Sequence, residues 1–465
     1  MTVKNSIYTC FLGLCALISA AAYAQVPQAL RDVWENPDLR EKIDAGIKAN
    51  RMGMFTIEFD KPVENVKVDL QRHEFLFGFY ASRAACDGVV YQKFTPEQIA
   101  EFSRLTKNIF NYGTFACVWK RVNPEKGKMR WNYDNDAEID VSKDKNPTVN
   151  LPDIAVDFCK KNDLTMKAHC LSWMINREHF VPEWAFELKD RKEVEIELER
   201  NIKRIVDRYA DQVHIWDVVN ESSYVLPRDK VNIDDYIFKA FKYAQTILPP
   251  SHTLIINELT TVWGDTAKYG KLSRFYKNCQ DIISRGAKVD AIGLQFHIFS
   301  RKLWNEILSA KQYTPSMLEK VLDCYQQLGR PVHITEITVP SAFEGGEEAQ
   351  AYYAENLYQL WFSHPSVEAI TWWNMRDGQA APSETNLLGG LLRPDFKPKP
   401  IYKALENLIA KKWHTTKSFE GTRKNVTFSA FYGRYKVTYM RDGKEYSTSI
   451  MLGKNTDKLK KIEVK

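Results

Sequence analysis

Eight short apolar runs, each long enough for one buried strand, alternate along the chain with amphipathic stretches of helix length. In chain order these runs are Phe75–Ala81, Asn108–Phe115, Met166–Trp173, Val213–Glu221, Thr253–Glu258, Ala291–His297, Val332–Ile337 and Ala369–Asn374. Strands buried on both faces read as near-continuous apolar runs, and their alternation with helices is typical of a parallel sheet. Eight such units predict an α/β fold, a (β/α)₈ TIM barrel.

The stretches between the runs carry helix signals. One helix face is predicted by apolar residues at spacings of four, four, three and four: Val194, Leu198, Ile202, Ile205 and Tyr209. Thr95 and Thr314 each precede a proline, which is the order expected of an N-cap followed by the first turn of a helix.

Two segments fall outside this alternation. Residues 52–74 read as strand, turn and strand, which predicts a small β extension at the side or bottom of the barrel. Residues 426–432 and 435–440 alternate with period two, and Asp442-Gly443 is a strong hairpin turn. We therefore expect an N-terminal linker and β extension over 25–74, the barrel over 75–411 and a small C-terminal all-β domain over 412–465. Packing on the barrel or docking of a partner is the role expected of that last domain.

The first 24 residues predict export. An apolar stretch, 7–22, follows Lys4, and Ala22-Tyr23-Ala24 supplies the small-x-small site that a signal peptidase cleaves. The stretch is too short for a good membrane anchor, although an uncleaved anchor is the alternative. We expect a secreted or periplasmic protein that begins at Gln25 and has no membrane attachment after cleavage.

Cysteine spacing and charge exclude several classes of function. Six cysteines follow the predicted signal, and none forms a CxxC pair or a Cys/His cluster with zinc spacing, so we expect no metal and no cofactor. One or two disulfides are compatible with export, but the sequence does not show which cysteines would pair.

A net charge of +6 on 465 residues is mild and argues against a nucleic-acid partner. Phosphate-loop, nucleophile-elbow and HExxH motifs are absent from the sequence. We expect a monomer.

Two of the apolar runs end in glutamate, namely the fourth at Glu221 and the seventh at Glu336. The C-terminal ends of barrel strands build the active site, and the fourth and seventh strands face each other across its mouth. Hydrolysis of a glycosidic bond requires one carboxyl group that donates a proton and a second, ionised one that attacks or activates water. The pair therefore predicts a glycoside hydrolase. A structural ion pair involving Arg376 is the alternative.

Polar and aromatic residues at the other strand ends suit a sugar. Apolar sugar faces stack on indole rings, and sugar hydroxyls need amide, imidazole or carboxylate partners. The residues predicted to bind substrate are His169, Trp173, Asn220, Asn257, Gln295, His297, Trp373 and Trp119. Trp119 and Trp131 carry the weaker signal, because a single tryptophan after a strand is as often loop packing as a sugar platform.

These motifs resemble family 10 of the glycoside hydrolases, whose best-known activity is endo-β-1,4-xylanase. Trp216–Glu221 is similar to the family's acid/base signature, with Asn220 beside the sugar 2-hydroxyl, and Ile334–Glu336 is similar to its nucleophile signature. Ala168–Trp173 and Ile292–His297 resemble the motifs of the third and sixth strands. The runs Pro182–Trp184 and Lys397–Tyr402 also fit. The resemblance covers roughly residues 75–410 and implies a retaining mechanism, with carboxyl groups about 5–5.5 Å apart.

The chain departs from the family where the family binds sugars on the non-reducing side of the cleaved bond. Thr114–Trp119 replaces a Glu-Asn-x-Met-Lys-Trp run and keeps only the tryptophan. Met174 replaces a histidine, Thr338 an aspartate and Asn374 a glycine, whereas Asp377 is retained. A second tryptophan of the family is not evident in Gln379-Ala380-Ala381.

The departures bear on the substrate. Each lost polar partner weakens the hold on a sugar by about 1–3 kcal/mol. Our hypothesis is a decorated xylan, or another β-linked glycan, whose substituents fill the vacated space.

Two alternatives remain open from the sequence. One is a family relative that acts on another β-linked glycan, on oligosaccharides or from the chain end. The other is a non-catalytic carbohydrate-binding barrel, because fold alone does not fix function. The intact pair, Glu221 and Glu336, favours an enzyme, since a binding protein has no use for a proton donor beside a nucleophile.

Overall fold

A computed structural model describes residues 26–83, 85, 94–131, 151–174, 180–224, 233–381 and 383–464. Its strands are β1 (Met52–His73), β2 (Leu76–Tyr80), β3 (Tyr112–Ala116), β4 (Thr165–Ser172), β5 (Ile215–Asn220), β6 (Thr253–Glu258), β7 (Ala291–His297), β8 (Val332–Thr338), β9 (Val367–Trp372), β10 (Thr416–Phe431), β11 (Gly433–Arg441), β12 (Lys444–Leu452) and β13 (Leu459–Ile462). The predicted signal segment, residues 1–24, lies outside the described residues.

The α-helices within the described residues are α1 (Gln28–Trp34), α2 (Pro37–Arg51), α3 (Pro96–Ile109), α4 (Trp119–Val122), α5 (Pro152–Lys161), α6 (Arg191–Tyr209), α7 (Tyr236–Ile247), α8 (Thr261–Tyr269), α9 (Arg274–Ser284), α10 (Arg301–Leu308), α11 (Pro315–Gln326), α12 (Gly346–Ser363) and α13 (Pro400–Glu406). Short 3₁₀ turns lie at Glu183–Glu187, Ser222–Tyr224, Gly270–Leu272 and Thr385–Leu387, and a π-helical segment, Asn407–Lys412, continues α13. None of the helices that the structure describes combines the length and the apolar character needed to cross a membrane.

Strands β2 to β9 are parallel and close into a barrel in chain order, which confirms the predicted (β/α)₈ fold. Each predicted run overlaps one of these strands, with differences of a few residues at the ends. The second run was predicted to begin at Asn108, but Asn108 and Ile109 belong to α3. Ile109 is buried on the same helix face as Phe102 and Leu105, so the apolar pattern of the helix runs directly into that of β3.

The predicted helix signals are confirmed. Thr95 forms a capping box with Gln98: the Gln98 N–H donates to Thr95 Oγ1 and the Thr95 N–H donates to Gln98 Oε1. The Thr314 hydroxyl accepts from the Met317 N–H at the start of α11. The five apolar residues predicted to share one face of α6 are all buried.

The two β segments outside the barrel form one sheet, with strand order β10-β1-β11-β12 and with β13 paired parallel to β1. β1 runs unbroken through Lys61 and Pro62, where two strands joined by a turn were predicted. The register with β10 shifts between Glu58 and Val63, and such an irregularity accommodates a proline that donates no ladder hydrogen bond. The hairpin turn is confirmed, with positive φ at Asp442 and Gly443. The domain boundaries themselves stay a prediction.

The cysteines in the described part of the chain are buried free thiols: Cys117, Cys159, Cys170, Cys279 and Cys324. Burial raises the pKa of the Cys159 thiol to about 12, so this residue behaves as a small apolar side chain. The remaining cysteine of the predicted mature chain, Cys86, lies outside the described residues.

Arg51, the last residue of α2, forms hydrogen bonds with the segment that joins α12 to β9. Its Nε donates to the carbonyl of Phe362 (2.6 Å), and its Nη2 donates to those of His364 (2.5 Å) and Val367 (2.7 Å). The guanidinium also lies over the rings of Phe75 and Phe362. Burial lowers the pKa of Arg51 to about 10, so the group stays charged at neutral pH. One side chain thus ties the helix preceding β1 to the last barrel strand.

Replacing Arg51 by alanine should lower the free energy of unfolding by about 3 kcal/mol, because three buried carbonyl oxygens lose a charged donor, at about 1–3 kcal/mol each before relaxation. Urea titration followed by circular dichroism measures the change. Lys48→Ala, an exposed position on the same helix, is the matched control and should change little. Equal effects of the two substitutions would contradict the assigned role.

Candidate active site

The two predicted catalytic glutamates lie at the C-terminal ends of opposite barrel strands. Glu336 is the fifth residue of β8, and Glu221 directly follows β5. Both are buried, with 4% and 7% of their surface exposed, respectively. Glu221 has a φ of 57°, a conformation that costs a non-glycine residue on the order of 1–3 kcal/mol. Its N–H donates to the Asn257 carbonyl at 2.8 Å, so the neighbouring strand holds the residue in place.

Glu221 lies in an environment that favours its protonated form. Burial, followed by the negative charge of Glu336, raises the pKa of Glu221 to about 8. Trp173 Nε1 donates to Glu221 Oε2 at 2.9 Å, and Gln295 Nε2 donates to Oε1 at 3.2 Å. A carboxyl group that carries its proton at neutral pH suits the role of general acid.

Glu336 lies in an environment that favours its ionised form. Burial alone would raise the pKa of Glu336, but the hydrogen bond with His297 and the electrostatic effects of His169, His297 and Lys167 lower it below its usual range. His297 Nε2 lies 3.1 Å from Oε2, and Asn257 Nδ2 donates to Oε1 at 3.0 Å. An ionised carboxylate with fixed donors suits the role of nucleophile.

Asn257 is locked in one orientation. The Thr335 hydroxyl donates to its Oδ1 at 2.5 Å, which leaves Nδ2 to donate to Asn220 Oδ1 (2.8 Å) and to Glu336. A Cβ on Gly293 of the next strand would lie 2.5 Å from the same Oδ1. The close approach of this amide explains why the position next to Asn257 is glycine.

A chain of side-chain amides joins the two glutamates. Gln295 Nε2 lies within hydrogen-bonding distance of both Glu221 Oε1 (3.2 Å) and Asn220 Oδ1 (3.4 Å). Asn220 in turn accepts from Asn257, which donates to Glu336. The structure therefore brings these predicted residues together around one point. The predicted separation of the two carboxyl groups, about 5–5.5 Å, stays a prediction.

A buried charged group, Asp217 with Lys167 and His169, lies near Glu336. The Oδ2 of Asp217 is 2.8 Å from both Lys167 Nζ and His169 Nδ1. Burial would raise the pKa of Asp217, but Lys167 and His169 lower it, so the carboxylate is ionised. His169 Nδ1 also lies 3.9 Å from Glu336. The roles of Lys167 and Asp217 were not predicted, although two charged residues inside apolar strand runs are a signal of a buried pair.

Two of the predicted tryptophans border the glutamates, and each has one ring face covered. The ring of Trp373 stacks on Tyr80, with centroids 4.2 Å apart, and also contacts His169 and His297 edge-on. Trp173 stacks on Phe180. Both indoles are half-buried, so a sugar has the remaining face and edges of each.

The weaker tryptophan signals correspond to packing. Trp119 is 2% exposed and meets Trp184 edge-on, at a centroid distance of 5.7 Å. Trp131 packs edge-on against Tyr209. Sugar stacking by Trp119 stays a prediction, and the burial of the ring favours a packing role.

Comparison with known proteins now bears on this site. The sequence profile of glycosyl hydrolase family 10 matches residues 104–408, well over half of the chain. The chain belongs to glycosyl hydrolase family 10. This membership agrees with the resemblance carried by the two glutamate motifs.

Curated relatives in this comparison are distant. An endo-1,4-beta-xylanase/feruloyl esterase from Xylanibacter ruminicola is 26% identical over 335 residues, which is 62% of this chain and 41% of that protein. Anti-sigma-I factor RsgI6 from Acetivibrio thermocellus is 24% identical over 417 residues, which is 86% of this chain and 46% of that protein. The family 10 chain thus spans less than half the length of either relative.

A solved structure supports the fold. Xylanase 10B from Thermotoga petrophila RKU-1, in complex with xylobiose, aligns with a TM-score of 0.56 and 22% identity, covering 73% of this chain and 95% of that one. At this identity the likeness concerns the barrel architecture alone.

One departure from the family 10 pattern, Thr338, and one retained residue, Asp377, have a structural account. Thr338 stands where the resemblance implies an aspartate, and its Oγ1 lies 2.9 Å from His297 Nδ1. A threonine hydroxyl therefore orients the imidazole that contacts Glu336. The retained Asp377 pairs with Lys399 Nζ (3.1 Å) and accepts from the Gly390 N–H, which makes it a structural anchor.

Arg376, the ion-pair partner that the sequence left open, is engaged elsewhere. Its Nη1 donates to the Pro394 carbonyl at 2.9 Å, and its guanidinium lies over the rings of Phe94 and Phe396. The carboxyl groups of Glu221 and Glu336 are instead joined through the amide chain. The structure thus favours the chemical interpretation of the pair.

Replacing Glu336 by glutamine should lower the pKa of Glu221, because the substitution removes the negative charge that disfavours ionisation of Glu221. A ¹³C NMR titration of protein labelled at the glutamate carboxyl carbons measures the change. Glu344→Gln, at an exposed glutamate, should leave that pKa where it is. An unchanged Glu221 titration in Glu336→Gln would show that the two groups are not coupled.

Proposed function

We propose that this chain hydrolyses β-1,4-xylosidic bonds in xylan or decorated xylan, as a retaining and endo-acting glycosidase. The observation that carries the proposal is the unequal pair at the barrel mouth, in which Glu221 favours its protonated form and Glu336 its ionised form. This division suits a reaction that needs one acid and one nucleophile. The xylanase names of family 10 relatives support the choice of substrate.

In the proposed first step, a carboxylate oxygen of Glu336 attacks the anomeric carbon of the sugar. The bond from that carbon to the leaving oxygen breaks while Glu221 transfers its proton to this oxygen. In the second step Glu221, now ionised, takes a proton from water. The water oxygen attacks the anomeric carbon, and the bond to Glu336 breaks. His297 and Asn257, which contact Glu336 in the free site, would hold its carboxylate in line during both steps.

The proposed substrate carries substituents, because the departures from the family remove the Glu, Asn and Lys side chains that the family pattern has for binding a plain sugar. Residues 114 to 119, which replace the family's Glu-Asn-x-Met-Lys-Trp run, are all buried. Buried side chains here offer a plain sugar unit few new hydrogen bonds. Trp173, Trp373, His169 and Gln295 are the groups that we propose contact the sugar next to the cleaved bond.

A second candidate function is recognition of a β-glycan without turnover. One relative, aligned with 86% of this chain, is named an anti-sigma factor, which is a regulatory designation and not an enzymatic one. The intact glutamate pair favours hydrolysis over this candidate. Turnover is the property that separates the two.

A panel of β-glycans tests the proposal: plain xylan, glucuronate- and arabinose-decorated xylans, mixed-linkage glucan and glucomannan. We expect internal cleavage of a decorated xylan, measured by chromatography of the products, and slower cleavage of the plain polymer. Glu221→Gln and Glu336→Gln should each reduce the rate by at least about 100-fold, because each removes one reacting group. Binding without products, retained in both variants, would overturn hydrolysis in favour of recognition.

The pH dependence of kcat/KM should form a broad bell. Activity requires protonated Glu221, so the alkaline limb should fall as the pH rises through about 8. Activity also requires ionised Glu336, so the acidic limb should lie below the ordinary glutamate pKa. Initial rates at constant ionic strength measure both limbs, and circular dichroism at each pH separates them from unfolding. An alkaline limb near the ordinary glutamate pKa would contradict the assignment of the acid.

A further inference from the structure

A third glutamate lies beside the active site and has no part in the steps above. Glu258 is the last residue of β6, directly after Asn257, and it is 1% exposed. Its Oε2 accepts hydrogen bonds from the Ser223 N–H at 2.9 Å and from the Ser222 hydroxyl at 3.1 Å. Its Oε1 accepts from the Leu259 N–H at 3.0 Å. Burial raises the pKa of Glu258 above its usual range, whereas the three hydrogen bonds favour the ionised form, and two of them come from backbone groups that can only donate.

The segment that Glu258 holds is the one that carries the proton donor. Residues Ser222–Tyr224 form a single 3₁₀ turn immediately after Glu221. The same turn is held from α9, where Arg274 Nη1 donates to the Ser223 carbonyl at 2.7 Å. On the other side, the Glu221 N–H donates to the Asn257 carbonyl. Two adjacent residues of β6 therefore fix the chain before and after the strained φ of Glu221.

Side chains alternate along a strand, which explains why the adjacent residues Asn257 and Glu258 contact different parts of the site. Successive side chains of β6 point to opposite faces, so Asn257 and Glu258 face different surroundings. Asn257 contacts Asn220 and Glu336 within the barrel mouth. Glu258 contacts the turn after β5.

We propose that Glu258 is a positioning residue for the proton donor: its carboxyl group accepts the hydrogen bonds that fix the turn directly after Glu221. The inference rests on the proposed hydrolytic function. The negative charge of Glu258 adds to burial and to Glu336 in raising the pKa of Glu221. Within the described part of the chain, the other charged or titratable groups around the two side chains include Glu336, Cys170, Cys279, Arg274 and Asp265.

Glu258→Gln tests the proposal with substrates that differ in their need for an acid. An aryl xylobioside with a dinitrophenolate leaving group needs no proton, whereas an unactivated xylo-oligosaccharide does. For the oligosaccharide we expect kcat/KM to fall by roughly tenfold or more, and for the aryl substrate by less than about threefold. The alkaline limb of the oligosaccharide profile should also move to lower pH.

Two further variants separate charge from packing. Glu258→Asp keeps the charge on a shorter side chain, so the alkaline limb should stay near its original pH even where the rate falls. Glu197→Gln alters a buried glutamate of α6 that pairs with Arg200. It should change neither the ratio of kcat/KM between the two substrates nor the pH of the alkaline limb. Equal losses of Glu258→Gln on both substrates, with an unmoved alkaline limb, would overturn the proposal.

Failure of the proposed function gives a different result. If the unmodified protein hydrolyses neither substrate, the hydrolytic proposal fails, whereas the ¹³C titration of Glu221 still tests the charge of Glu258. A lower Glu221 pKa in Glu258→Gln would then support the influence of the Glu258 charge on Glu221. An unchanged pKa would refute it independently of turnover.

Discussion

The amide of Asn257 is the contact on which the rest of the site depends. It donates to Glu336 and to Asn220, its orientation is set by Thr335, and its backbone carbonyl holds the N–H of Glu221. One residue at the end of β6 therefore reaches both glutamates, one through its side chain and the other through its main chain. The barrel makes this possible, because parallel strands bring their carboxyl ends to a single rim.

The two carboxyl groups differ because their neighbours differ. Glu221 accepts hydrogen bonds from Trp173 and Gln295, which are neutral donors. The pKa of Glu336, in contrast, is lowered by His169, His297 and Lys167. The pair of Lys167 and Asp217 is fully buried, and such a pair contributes little to stability compared with an apolar packing of the same volume. Its effect is electrostatic instead, because the charge of Lys167 helps to lower the pKa of Glu336.

The barrel and both glutamates were predictable because their signals are local in sequence. An apolar run indicates a buried strand, and a glutamate at its end indicates a reactive group, so both signals lie within a few residues. The partnership of β1 with β10 and β11 left no such signal, since strand pairing between distant segments depends on the closed fold. The roles of Lys167, Asp217 and Glu258 also depend on which neighbours the fold supplies. The surroundings of Trp119 were likewise not predictable, because its ring is buried against Trp184, which lies 65 residues further along the chain.

The sheet beside the barrel has a consequence for the order of synthesis. Thr56 of β1 pairs with Thr427 of β10, 371 residues further along the chain. A ribosome therefore releases β1 long before any strand that can cover its edges. An uncovered strand edge invites pairing with other chains, and contacts of such high sequence separation form late. The nascent chain therefore carries this edge uncovered while the whole barrel is synthesised, which exposes β1 to pairing with other chains until β10 and β11 emerge.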